Sequence, residues 1–180
     1  MRILLHKISN DRHALELVHG DGHRERMTCE TRSYLQHDLL HYAVESEATL
    51  DGGFWGSLAD GRTLAEMNGR TGSAPADDGA ELMVIEQVVG ALSGALRDPS
   101  PDAVVAALRR YAASLGSAPP RWLESGLVAA VQERMRQLVG RWRATAFGSV
   151  MELEWPAPRA RHRAAPSDSR ATRGAGRRAP

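Results

Sequence analysis

The feature that most constrains this chain is a change of period. Through about residue 30, apolar and polar side chains alternate every second position; beyond it they recur every three to four. A period of two belongs to strands with one buried face and a period of 3.6 to helices, so the chain must begin as a sheet and continue as helices. Ile3 and Leu5, with Leu4 and Ile8, form a first strand. His13, Leu15, Leu17 and His19, alternating with Ala14, Glu16 and Val18, form a second, and HRERMTCE a third. Gly20-Asp21-Gly22 accepts positive φ and should close the second hairpin. Near the other end, SVMELEWP sets Met151, Leu153 and Trp155 against Val150, Glu152 and Glu154, a strand that should join the same sheet. The expected fold is α+β: a small, mainly antiparallel N-terminal sheet plus a C-terminal strand, packed against about five helices.

The helical part has recognisable punctuation. LQHDLLHYAVESE opens it, with residues 31–47 expected to be helical, and FWGSLADGRTLAEM follows after a break at Gly52-Gly53. GRTGSAPADDG, residues 69–79, is a polar connection, and Asp78 with Glu81 has the spacing of a capping box. Leu82, Ile85, Val89, Leu92 and Leu96 then line one helical face. Ser100-Pro101-Asp102 begins another helix, since proline in the first turn sacrifices no hydrogen bond. After Pro119-Pro120, a long helix presents Leu123, Leu127, Val131, Met135, Leu138 and Trp142 inward. Its late Arg141 and Arg143 complement the negative end of the macrodipole.

Charge divides the chain unevenly. Residues 157–180 carry seven Arg and one Asp, whereas residues 1–156 carry 16 basic against 21 acidic side chains, a balance of −5. Residues 1–156 are therefore expected to form a single globular domain. Residues 157–180, rich in Arg, Ala, Pro, Ser and Gly, cannot bury enough apolar area to offset chain entropy and are expected to be a disordered tail. The acidic body offers no basic groove, which argues against nucleic acid beyond weak, non-specific contacts of the tail. No apolar run approaches the roughly 18 residues that span a bilayer, and the start lacks a secretory cleavage pattern, so a cytoplasmic location is expected. The single cysteine, Cys29, excludes an internal disulfide and lies in a strand, where a buried structural thiol is expected. No phosphate-binding glycine loop or GxSxG elbow follows an expected strand.

One helix concentrates chemistry. At about 100° per residue, His37, His41, Glu45 and Asp38 fall within an arc of about 100°, and Leu35, Tyr42, Leu39, Ala43, Leu40 and Val44 occupy the rest of the circle. Imidazoles at i and i+4 can converge on one divalent ion, and HDLLH differs from the HExxH pattern of zinc metallohydrolases by Asp for Glu. The expected ligands are His37, His41 and Glu45, with zinc the expected metal and Asp38 orienting water as the catalytic base. Asp60 and Glu66 are alternative third ligands, as are His6, His13, His19 and His23. The competing expectation is a non-catalytic domain that binds a protein partner, with this stripe merely facing water.

Phe54-Trp55, flanked by Gly53 and Gly56, is expected to anchor the following helix in the core rather than to stack on a ligand. QHDLLHYAVESEATLDGGFWGSLADGRTLAEM resembles a group of uncharacterised bacterial proteins that share an H-D-L-x-H-[YF]-x-V-E stretch followed by G-F-W-G. The similarity covers about thirty residues and the strand-rich start, and implies a bacterial source and a shared fold. Where those proteins tend to have Pro before the His-Asp pair, this chain has Gln36.

Overall fold

In a computed structural model, residues 1–67, 79–95, 100–114, 116 and 118–156 are described, the side chains of 79, 80 and 95 excepted. Three strands open the chain: β1 (Arg2–Lys7), β2 (Arg12–Val18) and β3 (Arg24–Glu30). A π-helical turn over Thr31–Leu35 leads into α1 (Gln36–Ala48), followed by α2 (Phe54–Ala59), α3 (Leu64–Met67), α4 (Gly79–Ala95), α5 (Pro101–Ser114) and α6 (Ser125–Ala144). The strand β4 (Val150–Glu154) ends the described chain's regular structure. The architecture is α+β, as the change of period requires, with six α-helices among the described residues.

The sheet is antiparallel throughout, in the order β3-β2-β1-β4. Its register follows from the alternation. Ile3 lies opposite Leu17 and Leu153, and Leu5 opposite Leu15 and Met151, so the apolar sets of the strands share one face. A slip of one residue would turn all of them out. Gly22 takes the positive φ of 88° that the β2–β3 turn needs. The opposite face carries paired charges: Glu16, buried on central strand β2, is held by His6 at 2.7 Å, Arg24 at 2.8 Å and Arg26 at 3.8 Å.

The apolar sheet face and the helices share one core, in which Leu39, Leu40, Ala43 and Val44 of α1 and Val131, Met135 and Leu138 of α6 join the strand residues. Burying a leucine of this kind contributes roughly 2 to 3 kcal/mol, which is why short helices with modest propensity hold here. Lys7, the chain's single lysine, donates to the carbonyls of Trp142 and Thr145 at 3.0 and 2.8 Å and so closes the C-terminus of α6. Arg141 donates to the Glu152 carbonyl at 2.7 Å, tying that helix to β4.

Two boundaries differ from the periodicity. α6 begins at Ser125, after a turn that buries Leu123, and Leu127 is only partly buried while Val128 takes the core position. The turn ahead of α1 is π-helical, a wider winding that residue preferences do not mark. The expectations for Asp78, Leu96 and residues 157–180 fall outside the described residues. Among the described residues, no helix is long and apolar enough to cross a membrane.

Candidate metal centre between α1, α2 and α4

At His41 and Glu45 the polar stripe of α1 does not face water. From Leu39 through Glu45 every residue is buried, because α4 and the start of α2 cover the arc that holds His41 and Glu45. Buried polar groups must be paired, and the pairing builds the site.

Glu45, 0% exposed, is bound on both oxygens. Its Oε1 accepts the Phe54 N–H at 2.9 Å, and its Oε2 accepts those of Trp55 at 2.9 Å and Gly56 at 3.3 Å. His41 Nδ1 lies 2.9 Å from Oε1 and, beside an ionised carboxylate, is the fourth donor. A carboxylate offers about four lone-pair positions, and here all four are taken. Burial pushes the Glu45 carboxyl up, while His41 and the amides oppose it. Three amide donors favour the ionised form, and beside an ionised Glu45 it is His41 Nδ1 that carries the proton.

The chain's route into this arrangement explains the glycines. α1 ends at Thr49, whose φ of 53° is left-handed, and the Leu50 N–H closes on the Glu45 carbonyl at 2.9 Å. The chain then doubles back, and a Cβ on Gly53 would run into the Glu45 side chain, one on Gly56 into the Asp51 carbonyl. Trp55, 1% exposed, donates its indole N–H to the Asp38 carbonyl at 3.1 Å and packs edge-on against Phe54 and Tyr42, anchoring α2 in the core.

The other nitrogen of His41 faces α4. His41 is 2% exposed, and its Nε2 pairs with Glu86 Oε1 at 3.3 Å, although among the described residues it has no aligned hydrogen-bond partner. Glu86 Oε2 is 3.8 Å from His37 Nε2, and the two imidazoles meet edge to face with centroids 4.7 Å apart. One ligand atom from each of His37, His41 and Glu86 lies within 4.8 Å of the others, so the three could hold a metal ion. His37 and Glu86 are half-exposed, which leaves that side open to solvent.

Electrostatics follow from this layout. Burial alone would lower the His41 pKa, but Glu45 and Glu86 outweigh it and carry it up to about 9. Burial, then the His41 charge, depresses His37, while Glu86 works against both. His41 holds Glu86 below its usual range. Asp38 is raised to about 7 by burial, with Glu86 adding to the rise and His41 opposing it. Metal-free, the two carboxylates that flank His41 favour the charged form of its ring.

His37 and His41 thus come together as the spacing implies. Glu45, expected as the third ligand, is turned to the far nitrogen of His41 with no lone pair to spare, and the carboxylate that joins the imidazoles is Glu86. Glu86 escaped a reading confined to one helix, although it is the lone acidic residue between Leu82 and Leu96 in a strongly apolar segment. The alternatives are engaged elsewhere. Glu66 caps α3 through Thr63, His6 pairs with Glu16, His19 pairs with Glu25 beside His23, and His13 lies in the core next to Trp142. Asp60 ends α2 and lines a cavity with His19 and His23. No protein family, curated protein or solved structure matches the chain.

Proposed function

We propose that the chain binds a divalent metal, zinc by preference, and uses it for hydrolysis. The observation that carries this reading is the convergence of His37, the buried His41 and Glu86, one ligand atom of each lying within 4.8 Å of the others. Two imidazoles and one carboxylate are a donor set of catalytic zinc sites, in which a fourth position stays open, and the open side here lies at His37 and Glu86. Zinc, when bound, would supply Lewis-acid activation of water. Asp38 follows His37 as the acid follows the first histidine of HExxH, and a carboxyl raised to about 7 can both take and return a proton near neutral pH. It is assigned the role of base. The stretch that carries the resemblance to the H-D-L-x-H proteins contains His37, Asp38, His41, Glu45 and Gly53 to Gly56, and we place this chain with them in a bacterial cytoplasm.

The test is zinc titration of protein purified without an affinity tag, followed by an assay against ester and amide substrates. Wild type should bind one equivalent, and Asp38→Asn should retain the metal while losing hydrolysis. Hydrolysis unaffected by Asp38→Asn would remove Asp38 from the mechanism. A second reading rests on the pairing of His41 with Glu45 at 2.9 Å and Glu86 at 3.3 Å: a metal-free ion network that only ties α1 to α2 and α4. Absence of zinc binding would leave that reading standing.

A further inference from the structure

We propose that Glu45 is the positioning residue of this centre, and that the Gly53–Gly56 segment is its seat: three backbone amides lock the carboxylate behind Nδ1 of His41, which must then present Nε2 to the metal. The inference rests on the metal reading above. A neutral imidazole has two tautomers, and the hydrogen bond on one nitrogen decides which lone pair the other presents. At His41 the choice is forced, because Glu45 can only accept and Nδ1 sits 2.9 Å from it. The carboxylate cannot swing away, since the amides of residues 54, 55 and 56 hold it from the far side. It cannot be displaced by a larger neighbour either, since Gly53 is the residue against it. A carboxylate behind a ligating histidine fixes ring orientation and raises ligand basicity, and losing such a partner costs about 10- to 100-fold in metal affinity. The backbone of a segment that touches no ligand atom would in this way set the strength of the site.

Zinc affinity and histidine tautomers test this on the full chain. In zinc-loaded wild type, nitrogen-15 spectra should show His41 protonated at Nδ1 and coordinated through Nε2, a result that needs no mutation. Glu45→Gln and Gly53→Ala, each checked for a cooperative thermal transition, should bind zinc about 10- to 100-fold more weakly. A purely structural Glu45 would lower metal-free stability and leave the affinity of the folded protein unchanged. That result, or coordination of His41 through Nδ1, would overturn the inference while the metal reading stood. If wild type binds no zinc, both fall together.

Discussion

Among the described residues, His13 and His41 are the two fully buried histidines, and the Nε2 of each lacks an aligned hydrogen-bond partner. Their surroundings are opposite. His13, on β2 between Lys7 and Cys29 in register, packs edge-on against Trp142 with centroids 5.9 Å apart, and its Nδ1 lies 3.3 Å from Thr31 Oγ1. Burial lowers its pKa, and the ring is neutral filler. His41 lies between Glu45 and Glu86, has a second imidazole against it, and is raised to about 9. An unpaired buried nitrogen is therefore not by itself a ligand. It becomes a candidate where other donors converge on it, with a carboxylate behind the ring to fix which nitrogen is presented.

The largest expected effect separates the two directly. Zinc at 100 times its Kd should stabilise wild type by about 2.7 kcal/mol, or roughly 5 to 10 °C in Tm for a chain of this size. The joint His37→Ala and His41→Ala substitution should abolish the rise, whereas His13→Leu should leave it intact. Equal responses of wild type and the double variant in differential scanning calorimetry would end the metal reading, and loss of the response in His13→Leu would erase the contrast between the regions.

Next in size is the pH dependence of zinc affinity. Metal must displace the His41 proton, so below about pH 9 affinity should fall about tenfold per unit, or about 100-fold between pH 9 and pH 7. Chelator competition at several pH values measures the slope. A flat profile over that range would place the His41 proton elsewhere.

Metal-free stability should show the same contrast with opposite signs. The folded pKa of His41 lies above the unfolded value of 6.5, so its contribution is full below pH 6.5 and is lost as pH rises through about 9. The folded pKa of His13 lies below 6.5, so its contribution is full above that pH and erodes as pH falls. Asp38, raised from 3.8 to about 7, favours the fold at low pH and loses that effect as pH rises through 7. In denaturant melts from pH 5 to pH 9.5, His13→Leu should remove loss on the acid side, and Asp38→Asn should gain on wild type above pH 7.

The smallest expected effect is a control that enters neither environment. Thr49 holds a left-handed φ of 53° with a β-branched side chain. Thr49→Gly should relieve that conformation and stabilise the protein by about 1 kcal/mol or less, with zinc affinity unchanged. A change in affinity would mean that the end of α1 also sets the metal geometry.

Much of this was written locally. The strand alternation of Ile3, Leu5, Leu15, Leu17, Met151 and Leu153 determined both the sheet and its register, because a period of two leaves one face to bury. The spacing of His37 and His41 determined that their imidazoles share a side of α1, since four residues make about one turn. The π-helical turn and the late start of α6 were not legible, because they reflect how the helices meet the sheet rather than local preference.

The division of labour among the carboxylates lay beyond the sequence. Glu45 sits one turn from His41 and Glu86 lies 45 positions away, so chain distance alone favours Glu45 as the ligand. Tertiary structure reversed the order. The doubling back at Thr49 brought three amides to Glu45 and filled its lone pairs, and the packing of α4 on α1 carried Glu86 to the open nitrogen of His41. Periodicity tells which side of a helix a residue occupies, but which helix covers that side is decided only when the core closes.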